Sequence, residues 1–470
     1  MTRIVVVGGG MAGLSAALFC ARRGHRVTVL ERDVATAPDG PDTAFDAWHR
    51  PGVPQARHSH KFLGRSCRVL EQEAPDVLDA LLRAGAARVP VSRFDAGRGE
   101  FTDYALAARR LAYEAVLRRA ADREPGVVVR AGARVVGLAT VAGDVPRVTG
   151  VRLDRGEVVS GDLVVDAGGR HTRLADGLDL PNLPSPEVHT CGFVYLTRHY
   201  RLLPGQEIPA LDRPLATSLG YAATLAFPAD SRTFSLSVTL STEDPMRHAL
   251  RNPEVWDRFV DAVPHTARWA VRGVPEGPVH MMSRIENRRQ RLAGPDGPAV
   301  VGLVLLGDAA LQTNPTYGRG VSLAFAHAQQ LAGGLEFIDD PYRFAVEFDE
   351  WTERNLGVWY RTQIVADSAG LARMAAGLRG ERPDPPTDPF ARLMAGMEDL
   401  AARDEVVGRG LGRMAHLLIT PTQLLGDREV VQRVVAHLGD RPLPAEQLDG
   451  PDRAEFEGLA GVSGPMTGVS

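Results

Sequence analysis

Residues 4–13 read Ile4-Val5-Val6-Val7-Gly8-Gly9-Gly10-Met11-Ala12-Gly13. An apolar run without alternation is what a parallel strand covered on both faces requires. The small residues of Leu14–Arg23 predict a helix, and Arg26-Val27-Thr28-Val29-Leu30 a second strand that closes at Glu31. Gly8, Gly10 and Gly13 therefore fall in the strand-to-helix turn of a βαβ unit, spaced Gly-x-Gly-x-x-Gly. The first glycine permits the tight turn. The second lets a pyrophosphate approach the backbone at the helix N-terminus, beside Met11 and Ala12, because free N–H groups and the helix dipole favour an anion there. The third lets helix and strand pack closely. Glu31, followed by Arg32, stands where a carboxylate accepts hydrogen bonds from ribose hydroxyls. The unit is a dinucleotide-binding fingerprint in its proper context.

Working outward, residues 33–54 are rich in Pro, Gly and Asp and read as a long connection. Helical patterns follow at Phe62–Glu73, Asp76–Gly85 and Leu111–Glu124, then short strands near 127–130, 135–140, 148–155 and 161–165. Residues 190–241 differ: Val194–Tyr200, Leu215–Phe227 and Thr233–Leu240 have the partial alternation of an antiparallel sheet with one wet face. A buried strand, Val300–Leu306, leads into a helix from Gly318 to Leu335. Helices at Phe344–Leu371, Pro389–Leu411 and Arg428–Leu438 complete the chain.

The whole has 470 residues, 24% of them charged, with a net charge of −4. That balance argues against a nucleic-acid partner, which calls for a basic excess. Three widely spaced cysteines form neither a disulfide framework nor a ligand set, so no metal is expected and a reducing cytoplasm is. No apolar run reaches the ~18 residues of a membrane span, and the run after Met1 is too short for a signal peptide.

A second signal separates FAD from NAD. Gly307-Asp308 follows a buried strand, and Asn314-Pro315-Thr316-Tyr317-Gly318-Arg319-Gly320 opens the next helix. With the N-terminal glycines, and with Asp166-Ala167-Gly168-Gly169-Arg170 in the middle, the chain resembles the FAD-dependent monooxygenases of the para-hydroxybenzoate hydroxylase type. Pro51–His60, Tyr195-Leu196-Thr197-Arg198, Gly307-Asp308-Ala309-Ala310 and the run Arg110, Glu114, Arg118 are similar to a bacterial branch that includes polyether epoxidases. The match covers roughly residues 1–370. It implies an α/β fold: a Rossmann-like FAD-binding domain of glutathione-reductase type, an antiparallel β-sheet substrate domain and a helical C-terminal region. The divisions would be 1–180 and 276–340 for FAD, 181–275 for the substrate sheet and 341–470 for the helices. It also implies that Arg110 and Asp166 serve FAD, that Asp308 holds the ribityl chain, and that Pro315, Gly318, Gly320 and Val321 bring a helix N-terminus to the flavin pyrimidine edge. Ser322 and Lys61 depart from the pattern, at positions where asparagine and an apolar residue are expected.

The activity so implied is transfer of one oxygen atom from O2, through a flavin C4a-hydroperoxide, to a natural-product intermediate, with epoxidation or hydroxylation favoured. Electrons would come from NAD(P)H or from reduced flavin supplied by a separate reductase. No catalytic acid or base is assigned; Pro315, Gly318, Gly320 and His60 are the pocket candidates. Baeyer–Villiger oxidation, reduction or desaturation, halogenation, and sequestration without turnover are the alternatives. Lys61 suggests the halogenases, yet no Trp-x-Trp-x-Ile-Pro segment accompanies it, and a solvated lysine is the simpler expectation. His58 and His60 read as a loop against flavin or substrate, Ser59 and Ser322 lack a nucleophile elbow, and Trp351 and Trp359 read as core on one helix face. Glu243 and Asp244 read as solvated surface.

Overall fold

The computed structural model describes residues 1–461 apart from 97–99, 179, 181, 212, 383–385, 387 and 440–447. Strand β1 (Arg3–Val7) leads into α1 (Met11–Ala21) and β2 (Arg26–Glu31); α2 (Arg110–Arg123), β3 (Val127–Ala131) and β4 (Leu163–Asp166) follow. With Leu303–Leu305 they form a parallel sheet in the order 303–305, β4, β1, β2, β3. Val5 pairs with Thr28 on one side and Val164 on the other. Ile4 and Val6 pack with α1 and with Phe325, whereas Val5 and Val164 join Val148 and Val151 on the opposite face. Both faces are covered, so the strand has no need of polar alternation.

A five-stranded antiparallel sheet stands beside the first. Its order is 216–218, 222–228, β6 (Thr233–Ser241), β5 (Phe193–Leu202), β7 (Gly273–Met282). Even-numbered residues of β5 (Val194, Leu196, Tyr200) pack outward against Trp256, Phe259 and Trp269. These three come from Pro253–Ala262 and Pro264–Ala270, two helices the sequence did not reveal. The inner face is polar, with Thr197 opposite Ser237 and His199 opposite Ser235. It is not wet, as the alternation suggests: all four residues are buried. The segment at 57–59 lies over them, Ser59 Oγ bonding the hydroxyls of Ser235 and Ser237 at 2.7 Å each and Arg57 O bonding His199 Nε2 at 3.1 Å.

Other departures from the sequence pattern have local causes. Leu215–Phe227 is a hairpin, because Gly220 at φ +76° reverses the chain between the strands at 216–218 and 222–228. β7 runs across the boundary expected at residue 275. The connection at 33–54 carries a helix, Pro41–Ala47, seated by Ala44, Phe45 and Trp48. The helix expected over 344–371 breaks at Leu356 into Pro341–Asn355 and α3 (Gly357–Leu378), so Trp351 and Trp359 reach one core cluster from two helices. That over 389–411 breaks where Asp404 caps a new helix by accepting from the N–H groups of Val406 and Val407. Asp244 is buried rather than solvated. Its carboxylate takes two bonds from Arg453, at 2.6 and 3.0 Å, and fixes the last helix, whose Phe456 packs against Tyr221 and Phe259. The three cysteines are buried and free. Among the described residues no helix is long and apolar enough to cross a membrane.

Candidate functional site: a cleft between two helix N-termini

The glycine turn is built by contact. Gly8 takes φ +104°, and a Cβ there would stand 2.4 Å from Ala167 O. A Cβ on Gly13 would stand 1.9 Å from Gly8 O, so this glycine shapes the turn from behind. Gly10, the residue before α1, is different: a Cβ there meets nothing within 4 Å. The space in front of the first N–H groups of α1, which have no intrahelical partners, is therefore open.

Glu31 closes the next wall. Its carboxylate accepts from the N–H of Gly9 and of Asp33, both at 2.9 Å, and from Arg50 Nη2 at 3.1 Å. Arg50 also pairs with Asp33 (3.3 Å) and with Glu114 (3.0 Å), with its side chain 1% exposed. Glu114 in turn takes Arg110 Nε at 3.3 Å and steadies that guanidinium at the cleft wall. Sequence reasoning missed Arg50. The available signal was Glu114, a carboxylate inside the apolar run of α2, which a buried cation must satisfy.

The far end is formed by the turn at 314–320 and the N-terminus of the helix Gly320–Gly334. Gly318 takes φ +65°. Asp367, on α3, holds the turn: its carboxylate accepts from the side-chain amides of Asn314 (2.8 Å), Asn287 (2.7 Å) and Gln363 (2.8 Å). Tyr195 donates to Asn314 Oδ1 at 2.6 Å, tying the turn to the inner face of β5. Arg319 points the other way, stacked over Tyr317 and Trp359 and bonded to Gln363 Oε1 at 3.1 Å. Asp367 lies in a region that the sequence marks only as helical.

One cleft of about 500 Å³ joins the two ends. Of the residues expected to bind cofactor, Gly8, Gly10, Met11, Ala12, Glu31, Arg32, Arg110, Asp308, Pro315, Gly318, Gly320 and Val321 line it. Gly13 and Asp166 do not. The Asp166 carboxylate is turned into its own loop, where it accepts from Gly168 N–H (2.9 Å) and the Thr172 hydroxyl (2.6 Å), and burial pushes its pKa up to about 6. Ser322 is buried outside the lining, its hydroxyl without a hydrogen-bond partner among the described residues.

His58, Ser59, His60, Lys61 and Met282 complete the wall. Burial lowers His58 to about 4 and His60 to about 3, so both imidazoles are neutral at pH 7. Among the described residues no group of side chains forms a metal site. Lys61 is not the solvated lysine expected from sequence: it is half-buried in the cleft wall, and desolvation brings its pKa down to about 8. A base whose folded pKa is depressed destabilises the fold below that pKa, and the penalty fades as pH rises towards the unfolded value near 10.5. In flavin-free protein, Lys61→Met is therefore expected to melt a few degrees above wild type at pH 7. Melting curves should converge between pH 8 and 10.5.

These residues fit FAD. The open cradle at Gly10 suits a pyrophosphate, Glu31 lies at the ribose end, and Asp308 with the second helix N-terminus lies at the other. A family model for FAD-dependent oxidoreductases matches residues 3–40, and one for tryptophan halogenases matches residues 47–180. The chain is 26% identical over 407 residues to the probable 2-heptyl-3-hydroxy-4(1H)-quinolone synthase AqdB2 of Rhodococcus erythropolis, covering 86% of this chain and 94% of that one. It is 28% identical over 343 residues to a kynurenine 3-monooxygenase of Salinispora tropica, covering 69% and 70%. Among solved structures, the flavin-dependent brominase Bmp2 superposes with a TM-score of 0.61 at 17% identity, covering 92% of this chain and 98% of that one. PqsL of Pseudomonas aeruginosa, a probable FAD-dependent monooxygenase, superposes at a TM-score of 0.56 with 18% identity, covering 80% of this chain and 96% of that one. The glycine turn, the acid at the end of β2, the Gly-Asp segment and these likenesses agree: the chain is an FAD-dependent oxidoreductase, similar to flavoprotein monooxygenases.

Proposed function

We infer that the protein inserts one oxygen atom from O2 into a small organic intermediate of natural-product biosynthesis, by epoxidation of an alkene or hydroxylation of an electron-rich ring. The observation that carries this reading is the cleft running from the Gly10 cradle to the Gly318–Gly320 turn, with Met282 of β7 in its wall. In this reading residues 1–180 and 276–340 hold FAD, 181–275 with the rest of β7 roof it, and the C-terminal helices brace it. Gly8, Gly10, Met11, Ala12, Glu31 and Arg32 hold the dinucleotide half of FAD, and Arg110, Asp308, Pro315, Gly318, Gly320 and Val321 the flavin half. Gly13 and Asp166 act indirectly, by shaping the turns. Reduced FAD, when bound, supplies the oxygen activation; NAD(P)H or a separate flavin reductase supplies its electrons.

The chain's own contribution is to bind, orient and exclude water. The N-terminus of the helix Gly320–Gly334 favours negative charge in front of it. His58 and His60, being neutral, place no imidazolium beside the reacting atoms. The hydroxyls of β5 and β6 beneath residues 57–59 are buried and hydrogen-bonded to that segment. The test is turnover of candidate alkenes and electron-rich aromatics with reductant under labelled O2. One labelled atom per product is expected, with none from labelled water; unlabelled product rejects the reading in favour of reduction or desaturation.

A second reading, halogenation, is favoured by one observation: Lys61 lines the cleft and no carboxylate pairs with it among the described residues. The match to the halogenase model supports it; the missing Trp-x-Trp-x-Ile-Pro segment does not. Oxygenation with chloride and bromide present should give no halogenated product, and Lys61→Met should retain substantial oxygenating activity. Halogenated product that disappears in Lys61→Met would reverse the order of the two readings.

A further inference from the structure

Behind His58 lies a second cavity, of about 230 Å³. Its walls are the segment from Trp48 to His58, Leu111 at the start of α2, and His280 and Met281 of β7. Arg50, Val53 and His58 belong to the walls of both this cavity and the cleft, so the two spaces adjoin. The lining contains two guanidinium groups, Arg50 and Arg57, three imidazoles, His49, His58 and His280, and no carboxylate.

The two arginines differ. Arg50 is neutralised by Glu31, Asp33 and Glu114, although its buried Nη1 has no hydrogen-bond partner among the described residues. Arg57 is half-buried, lies over the Phe45 ring at 5.2 Å, and donates Nη2 to the carbonyl of Asp46 at 3.1 Å. Among the described residues no carboxylate pairs with it. Burial and, after it, the charge of Arg57 lower the pKa of His280, so that charge reaches that side of the cavity. The remaining walls, among them Trp48, Val53, Ala56, Leu111 and Met281, are largely apolar. A cation that lacks an anion, at the edge of an apolar cavity, offers a charge-assisted contact to an acidic ligand.

We propose that this cavity is a subsite for the acidic group, carboxylate or phosphate, of a small molecule whose remainder extends past His58 into the cleft. The molecule is either an acidic substrate or the nicotinamide dinucleotide that reduces the flavin. The proposal rests on the cleft being the flavin site, and flavin content measured on every variant separates failure of that reading from failure of this one.

The experiment uses FAD-loaded protein. Anaerobic reduction of the flavin is followed against NADPH concentration, and the flavin spectrum is titrated with benzoate, octanoate and their neutral amides. Arg57→Ala, and His280→Glu, which places a carboxylate beside Arg57, should each weaken NADPH or an acid by about ten- to a hundredfold. The neutral amides and the flavin content should stay unchanged, and Arg57→Lys should keep most of the affinity. Loss confined to NADPH identifies the reductant as the source of the acid; loss confined to the carboxylates identifies the substrate. Unchanged affinities in both variants, equal loss for acids and amides, loss of flavin, or wild-type protein that binds none of the probes would each overturn the proposal.

Discussion

Gly10→Val is expected to give a folded, colourless protein. Gly10 sits at an extended φ of −83° and ψ of −172°, which valine adopts without strain. A Cβ there meets no protein atom within 4 Å, so the apoprotein has nothing to rearrange. What the branched side chain fills is the space in front of the first N–H groups of α1, where the pyrophosphate must approach the backbone. Flavin absorbance per mole of purified protein should fall almost to zero, while circular dichroism and the melting temperature of flavin-free protein stay at wild-type values. The control is Gly8→Val, whose Cβ would stand 2.4 Å from Ala167 O. That variant should lose stability as well as colour. Asp308→Ala should fall between wild type and Gly10→Val in retained flavin, since it removes one side chain from the far end and leaves the cradle open. Full visible absorbance in Gly10→Val would show that the cofactor lies elsewhere.

Asp367→Ala should cost roughly 3–5 kcal/mol of stability, because it leaves three buried amides without their acceptor. The amides belong to Asn287, Asn314 and Gln363, so the loss is felt on the strand at 286–289, in the 314–320 turn and on α3 together. The urea midpoint reports the stability, and the FAD dissociation constant reports the turn, which loses its anchor. Asp367→Asn should recover only part of either, since its own NH2 group faces donors. A variant with wild-type midpoint and wild-type flavin affinity would show that the network does not hold the turn.

The sequence by itself determined what depends on neighbours in the chain. Ile4–Val7 had to be a strand buried on both faces because it lacks alternation, and Gly8, Gly10 and Gly13 had to form a tight strand-to-helix turn because strand and helix flank them at fixed spacing. Asn314–Gly320 was legible for the same reason, as a glycine-bearing turn opening a helix. What only the tertiary structure decided are contacts between residues far apart in the chain, which no local period encodes. Asp166 carries a motif, yet its carboxylate is turned into its own loop by Gly168 and Thr172. Asp367 and Arg50 carry none, yet one fixes the 314–320 turn and the other gathers the three acids Glu31, Asp33 and Glu114. The polar alternation of β5 and β6 announced a face towards water. The 57–59 segment covers that face with hydrogen bonds, so its hydroxyls are satisfied while buried. Lys61 shows the same limit: a charge in a polar loop reads as solvated until folding places the loop in the cleft wall, where desolvation lowers its pKa.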